Sequence, residues 1–174
     1  NELIDQESNL RGMFFWGHAP NSQTRGLEMK KAMDKLDLLV VVDPFPSATA
    51  AMAAMPGKAE DLNPNRAVYL IPATTQFETS GSVTASNRSL QWREKVMDPL
   101  YESRTDHMIM YQLAQKLGFG AELVKNYKMQ KIKDMAEPMP EDILREINKS
   151  VWTIGYTGQS PERLKAHMRN MHVF

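Results

Sequence analysis

The run Leu38-Leu39-Val40-Val41-Val42, closed by Asp43-Pro44, decides the fold that we predict for this chain. Its apolar residues follow one another without a polar break, and the valines are β-branched. Such a run is typical of a strand that is buried on both faces of a parallel sheet. The sequence therefore predicts a central strand over residues 38–42 that stops at Asp43.

Similar patterns on both sides of this strand predict an α/β fold. Gly12–Trp16 and Ala67–Ile71 are further short apolar runs, and Pro72 closes the second of them. A helical stripe separates the first two strands and consists of Met29, Ala32, Met33 and Leu36. Strands joined by crossover helices form a mainly parallel sheet with flanking helices. We expect the stripe to face that sheet.

The second half of the chain predicts mostly helices. Thr105 is a good N-cap for a helix with Asp106 in its first turn and Gly118 at its end. The predicted apolar stripe of this helix is Met110, Leu113, Ala114 and Leu117. Other helices are predicted over residues 47–54, Leu123–Met135, Glu141–Ile154 (apolar side Ile143, Ile147, Val151 and Ile154) and Pro161–Met171 (capped by Ser160). Gln76–Arg93 is predicted to be irregular with at most a short strand, and we divide the chain into residues 1–120 and a helical extension, 121–174.

Composition excludes several classes of function. The 21 basic and 21 acidic residues cancel, and no basic stripe carries regularly spaced aromatic residues, so nucleic acid is not expected as a partner. No apolar run approaches the roughly 20 residues that cross a bilayer, so no membrane span is expected. The chain has no Cys and therefore supplies no thiolate or iron–sulfur ligand. It does not begin with Met, which suggests a piece of a longer polypeptide.

The ionisable residues do not predict a metal or catalytic centre. The His residues are scattered, and His167 and His172 lack the one-face helical spacing of a ligand pair. No Ser/His/Asp or paired-carboxylate pattern stands out. A basic cluster is predicted to be a solvated helix face, with partner docking as the alternative, and it comprises Lys125, Lys128, Lys131 and Lys133.

The expected binding site lies where the predicted strands end, at Gly17, Asp43 and Pro72. Open α/β sheets bind ligands outside the carboxyl ends of their strands. No G-x-G-x-x-G or Walker pattern is present, although backbone N–H groups at the start of the following helix are candidate phosphate contacts. The Asp43 carboxylate suits a ribose diol or the guanine edge; alternatively, it caps the following helix or begins a turn. For Asp106, a first-turn position is already a sufficient explanation.

Four longer stretches carry a family resemblance. They are GMFFWGHAP (12–20), LDLLVVVDPFPSATA (36–50), VYLIPATTQFETSGSVTASNRSLQW (68–92) and TDHMIMYQLAQKLGF (105–119). In order and spacing they resemble the large subunit of molybdenum- or tungsten-dependent formate dehydrogenases, in the wider dimethyl sulfoxide reductase family. The tail YTGQSPERLKAHMRNMH (156–172) resembles a less common branch of these dehydrogenases.

The resemblance implies a Rossmann-like domain that binds one of two molybdopterin guanine dinucleotides. The implied cofactor-binding residues are the turn Gly17, His18, Ala19 and Pro20, the strand end Val42 and Asp43 (Asp43 at the guanosine), and the helix start Thr105 and Asp106. Ala19 replaces the usual Asn or Asp, so only backbone contacts carry over there. Ala85 likewise replaces a common Asn, whereas other positions fit the family pattern: Glu78, Gly81, Arg88, Gln91 and Trp92.

The family's active-site (seleno)cysteine, its His and Arg neighbours and its iron–sulfur cysteines have no counterpart, so no catalytic residue is expected in this chain. The resemblance implies a parent enzyme that oxidises formate to carbon dioxide and passes two electrons through an iron–sulfur cluster held elsewhere. Implied partners are the remainder of the large subunit and an iron–sulfur electron-transfer subunit, and the branch implies the periplasm, with the cytoplasm as alternative. The alternatives in function are another family oxidoreductase, such as a nitrate reductase, and a non-catalytic nucleotide-binding or interaction module.

Overall fold

The structure, a computed structural model, describes residues 10–18, 25–47, 49, 67–87, 89–150 and 159–168. Chain contacts divide the protein into two compact units, Asn1–Ala73 and Thr74–Phe174. Helices and strands are both present, and the sheet of the first unit is parallel. The predicted α/β class is thereby confirmed, whereas the functional division after residue 120 stays a prediction.

The first unit is a parallel sheet with one described crossover helix. Its elements are β1 (Gly12–Trp16), α1 (Gly26–Met33), β2 (Leu38–Asp43) and β3 (Ala67–Pro72). The strand order is β1-β2-β3, with both pairs parallel. Gly12 pairs with Leu38, and Leu38 pairs with Ala67, so the three strands start level. The three predicted strands are confirmed to within one residue.

The core of the first unit lies between β2 and α1. Residues 39–42 of β2 are buried without interruption, which confirms a strand buried on both faces. One face packs against α1 and the residues after it, in a cluster of Phe15, Ala32, Met33, Leu36, Leu39 and Val41, with Met29 at its margin. The predicted helical stripe therefore faces the sheet. The short helix predicted over residues 47–54 lies almost wholly outside the described residues.

The second unit begins with a β-hairpin that the sequence did not predict. Strands β4 (Gly81–Thr84) and β5 (Leu90–Arg93) pair antiparallel, with Gly81 opposite Arg93. The Ala85 N–H donates to the Ser89 carbonyl at 2.8 Å, which closes the loop between the strands. The short strand predicted as an option within Gln76–Arg93 is therefore present, whereas the irregular backbone predicted for that segment is wrong where the two strands pair.

Helix α2 (Asp106–Lys116) follows this hairpin and begins and ends as predicted. Thr105 is its N-cap, with Oγ1 accepting a hydrogen bond from the Met108 N–H at 3.3 Å. Gly118 ends it with a left-handed backbone at φ +87°, a conformation that glycine adopts without strain.

The predicted apolar stripe of α2 is only partly correct. Ala114 is buried, but Met110, Leu113 and Leu117 are 52%, 39% and 64% exposed. Met108 and Ile109 are buried instead. The helix packs its first turns against a strand that the sequence had not predicted, and that packing decides which side is buried.

That strand belongs to a second hairpin, which replaces the predicted helix over Leu123–Met135. After the short helix α3 (Gly120–Leu123), β6 (Met129–Ile132) and β7 (Met135–Pro138) pair antiparallel. The turn between them places Lys133 at φ +53°. Since no helix runs through this segment, Lys125, Lys128, Lys131 and Lys133 do not form a helix face, and that prediction is wrong.

Two helices end the described chain, α4 (Pro140–Ser150) and α5 (Pro161–Met168). They join β5 in a core of Trp92, Leu144 and Leu164. Within the predicted apolar side of α4, Ile147 is exposed and Leu144 is buried in its place; Val151 and Ile154 lie outside the described residues. The Arg163 N–H donates to Ser160 Oγ at 3.1 Å, which confirms the predicted cap of α5.

Candidate functional site

The carboxyl edge of the parallel sheet brings three predicted positions together. Trp16 pairs with Val42, Val42 pairs with Ile71, and Asp43 pairs with Pro72. The Gly17 N–H donates to the Val42 carbonyl at 2.9 Å, which continues the β1–β2 ladder to the strand end. Gly17, Asp43 and Pro72 therefore lie at one edge, because parallel strands in level register end together.

The turn after β1 is open at Gly17. Its backbone is left-handed at φ +56°, and among the described residues, apart from its two chain neighbours, no atom lies within 4 Å of the position that a side chain would take. His18 stacks on Phe15 with ring centroids 6.3 Å apart, and its carbonyl accepts a hydrogen bond from Thr49 Oγ1 at 3.3 Å. The predicted contacts Ala19 and Pro20 lie outside the described residues. The described part of the turn thus presents backbone and open space.

Asp43 lies partly exposed at the end of β2, directly after the buried Val42. Its Oδ1 accepts a hydrogen bond from the Phe45 N–H at 3.0 Å, the pattern of an Asx turn. Pro44 has no N–H to donate, and the next residue, Phe45, supplies the backbone donor, so the alternative that Asp43 begins a turn is confirmed. The turn orients the carboxylate, and this is the only hydrogen bond that the described residues give to it.

The remaining predicted site residues, Thr105 and Asp106, start α2 in the second unit. Asp106 is exposed in the first helical turn. Thr105 is 2% exposed, and its hydroxyl donates to Glu137 Oε2 while accepting from the Met108 N–H. The Thr105 side chain is therefore engaged inside the protein, and Asp106 is the member of the pair that faces outward.

Glu137 of β7 is a buried carboxylate that the sequence did not reveal. It is 2% exposed, and Gln130, its partner in the hairpin register, donates to Oε1 at 2.8 Å. His107 Nε2 lies 3.2 Å from Oε2 but without hydrogen-bond alignment, so that contact is electrostatic. Burial alone would raise the pKa of Glu137; the His107 ring and the hydrogen bonds from Thr105 and Gln130 outweigh it and lower the pKa.

Glu78 is a second buried carboxylate in the same unit, 3% exposed. Its Oε2 accepts from the N–H and the hydroxyl of Thr75, both at 2.7 Å. Its Oε1 accepts from the Leu100 N–H at 2.6 Å and from Ser103 Oγ at 3.4 Å. Burial would raise the pKa of Glu78, but these neutral donors lower it. Of the two buried acids, only Glu78 had a sequence signal, the family pattern.

The described residues offer no metal centre and no membrane helix. Within them, no group of three or more His, Cys, Asp or Glu side chains could hold a metal ion. Nor is any described helix long and apolar enough to cross a membrane. His172, one of the scattered histidines, lies outside the described residues.

The chemistry of the carboxyl edge suits a nucleoside rather than a phosphate. The Asp43 carboxylate accepts hydrogen bonds, so it pairs with the N–H groups of guanine or the hydroxyls of ribose and repels a phosphate. Gly17 has no side chain of its own, and the described residues leave the space beside its backbone open to another molecule. These residues fit the nucleoside end of a dinucleotide.

Comparison with known proteins shows which family this chain resembles. A family model of molybdopterin oxidoreductases matches residues 2–116. A formate dehydrogenase alpha subunit of Methanocaldococcus jannaschii is 31% identical over 94% of the chain and 20% of its own length. The nitrate-inducible formate dehydrogenase major subunit of Escherichia coli is 28% identical over 82% of the chain and 15% of its own length.

A relative with a different activity also matches. The dimethyl sulfoxide/trimethylamine N-oxide reductase of Cereibacter sphaeroides is 36% identical over 56% of the chain and 10% of its own length. The chain thus spans only a small part, 10% to 20%, of these curated relatives.

Proposed function

This chain belongs to the molybdopterin oxidoreductase family, and we propose that its parallel sheet forms part of the surface that binds a molybdopterin guanine dinucleotide in a longer subunit. The observation that carries the proposal is the position of Asp43, a partly exposed carboxylate beside the open turn at Gly17. In this proposal Asp43 accepts hydrogen bonds from the guanine base or its ribose. The family resemblance implies further contacts from the backbone of residues 17–20 and, in the second unit, from Asp106 at the start of α2.

For the parent enzyme we propose oxidation of formate to carbon dioxide, with release of one proton and two electrons. When bound, the metal–pterin cofactor supplies the redox chemistry, and the residues of this chain bind and orient its nucleotide end. Because the chain has no Cys, the ligands of the iron–sulfur cluster belong to another part of the protein. The proposed partners are the rest of the large subunit and an iron–sulfur electron-transfer subunit. The proposed location is the periplasm, and this proposal rests only on the resemblance of the tail to one branch of the family.

The extent of the similarity favours formate as substrate. The two formate dehydrogenases match 94% and 82% of the chain, whereas the dimethyl sulfoxide/trimethylamine N-oxide reductase matches 56%. The higher identity of that reductase over its shorter match keeps oxide reduction as the second candidate.

The test uses the full-length enzyme and two aspartate substitutions, one near each end of β2. Asp43→Ala removes the carboxylate at the carboxyl end of β2, and Asp37→Ala removes one just before the amino end, where it pairs with Arg11 at 2.5 Å. A hydrogen bond to a charged group contributes about 1.5–3 kcal/mol, so Asp43→Ala should weaken cofactor retention by roughly 10- to 100-fold. The measurement is pterin content, by fluorescence after extraction, before and after dialysis.

Asp37→Ala is expected to retain pterin like the parent enzyme, because its carboxylate lies at the opposite end of the strand. Equal retention by both variants would remove Asp43 from the binding surface. A full-length protein purified without any pterin would refute the cofactor proposal itself. Turnover of formate against dimethyl sulfoxide then separates the two candidate substrates.

A further inference from the structure

The buried carboxylate of Glu137 joins three elements of the second unit. It lies on β7, its hydrogen-bond partner Gln130 lies on β6, and Thr105 and His107 lie at the start of α2. A buried carboxylate is costly unless other groups pair with it and donate hydrogen bonds to it. Thr105 and Gln130 donate hydrogen bonds to Glu137, and His107 Nε2 lies 3.2 Å from it, so the buried carboxylate has partners for both of its oxygens.

Thr105 connects this cluster to the helix backbone. Its hydroxyl donates a hydrogen bond to Glu137, and the hydroxyl oxygen accepts a hydrogen bond from the Met108 N–H at 3.3 Å. A threonine hydroxyl has one proton to donate, so Thr105 has none left for a ligand. The geometry therefore separates the roles of two adjacent residues: Thr105 faces inward and fixes the helix start, and Asp106 faces outward from it.

We propose that Glu137 is a positioning residue for cofactor binding, which through Thr105 fixes the first turn of α2 and the carboxylate of Asp106 that this turn carries. The inference rests on the proposed function, since it takes Asp106 as a cofactor contact. It assigns a role to β7, which lies beyond the residues that the family model matches. In this proposal the Thr105 hydroxyl holds the helix start from inside the protein, and Asp106 is the residue of the pair that contacts the cofactor.

The choice of residue types follows from this geometry. Glu137 reaches Thr105 and Gln130 with different oxygens, so one carboxylate ties the hairpin and the helix together. A glutamine at 137 keeps one acceptor oxygen for Thr105, and Gln130 can turn its amide to present an oxygen to the new NH₂ group. An alanine keeps neither contact. Gln should therefore preserve the positioning that Ala removes.

The experiment uses the full-length enzyme with Glu137→Ala, Glu137→Gln and the control Leu144→Ala. Leu144 is buried in a cluster with Trp92 and Leu164 that includes neither Glu137 nor Thr105, so its truncation should lower stability without releasing Thr105. Two quantities are measured: hydrogen exchange of residues 105–110, and pterin content. We expect Glu137→Ala to speed exchange of the Met108 amide at least tenfold and to lower pterin content several-fold. Glu137→Gln should keep both the slow exchange of the Met108 amide and the pterin content of the parent enzyme. Leu144→Ala should not speed exchange at residues 105–110 more than elsewhere in the unit, and it should keep its pterin.

A second pair keeps the test decisive if Glu137→Ala does not fold. Thr105→Ser keeps the hydroxyl, and Thr105→Val replaces it with a methyl group of similar size. Serine should retain pterin and protection of the Met108 amide, and valine should lose both. Parent-like pterin content in Glu137→Ala or Thr105→Val would overturn the positioning role.

Two other outcomes also overturn the role, and they separate it from the proposed function. Pterin loss that follows thermal stability equally in Glu137→Ala and Leu144→Ala would reduce Glu137 to an ordinary core residue. If Asp43→Ala loses pterin while Glu137→Ala keeps it, the proposed function stands and the positioning role fails. If the parent enzyme holds no pterin, both fail together.

Discussion

The two units differ in one respect: the second buries two acidic residues, and the described part of the first buries none. In the first, the described core is apolar, and Asp43 lies partly exposed at a strand end, held by one backbone hydrogen bond. In the second, Glu78 and Glu137 are buried and each accepts several hydrogen bonds. An acid at a strand end is available to another molecule, whereas a buried acid is committed to the fold. Replacing an acidic residue should therefore affect ligand binding at Asp43 and stability at Glu78 or Glu137.

The largest effect should come from the apolar core of the first unit. Leu39 is fully buried between the sheet and α1, so Leu39→Ala removes buried methyl groups and leaves a cavity. Such truncations cost about 2–5 kcal/mol of unfolding free energy. Denaturant unfolding of the 174-residue chain measures the loss.

Tyr69→Ala on β3 is the matched control for Leu39→Ala, since Tyr69 is largely exposed in the same sheet. Exposed positions usually change stability by about 0.5 kcal/mol or less. A loss at Tyr69 as large as at Leu39 would show that the face of the sheet carrying Tyr69 is covered.

The first unit could be predicted from sequence because its determinants are local. An unbroken apolar run such as Leu38–Val42 must be buried, and the helical stripe around Met33 has the sheet as its nearest apolar surface. Because strands joined by crossover helices run parallel, Gly17 and Asp43 were also expected at one edge. Position at the edge followed from these rules, whereas the Asx turn at Phe45 depends on backbone geometry that no residue pattern gives.

The second unit resisted prediction because distant contacts decide it. Lys133 takes a left-handed turn, although lysine is not a residue that signals such a turn, so the residue pattern predicts a helix where the β6–β7 hairpin forms. By sequence alone, Glu137 is one more acid among charged residues, a pattern typical of a surface. Only the packing of α2 against β7 buries it, and the same packing turns Met110 outward.

An intermediate effect is expected in acid, and it should depend on the buried acids of the second unit. The pKa values of Glu78 and Glu137 are both lowered below the ordinary 4.5. Folding therefore favours their ionised forms, so their contribution is complete well above pH 4.5 and is lost as the pH falls through the lowered folded-state pKa. Each carboxylate contributes at most about 1.4 kcal/mol for each pH unit in that range.

The measurement is unfolding free energy between about pH 3 and pH 6 for the parent chain, Glu78→Gln and Glu137→Gln. Each glutamine variant should have a flatter pH dependence, because one group with a shifted pKa is gone. A slope unchanged in both variants would mean that the acid sensitivity arises elsewhere. Hydrogen exchange should show the amides of β6–β7 losing protection at a higher pH than those of β2.

The smallest effect on stability is expected from Asp43→Asn, and it separates the two roles of Asp43. Asparagine keeps an oxygen that accepts from the Phe45 N–H, so the Asx turn survives and unfolding free energy should change by less than about 0.5 kcal/mol. Asp43→Ala loses the turn as well, at about 0.5–1.5 kcal/mol. The change to asparagine should weaken binding of a guanine edge or a ribose diol more than it weakens the turn, because an NH₂ group replaces one of the two acceptor oxygens. Asp43→Asn should therefore lose pterin in the full-length enzyme while the fold keeps its stability. Normal pterin content in Asp43→Asn, together with a loss in Asp43→Ala, would leave Asp43 as a turn residue and move nucleoside recognition to another part of the edge.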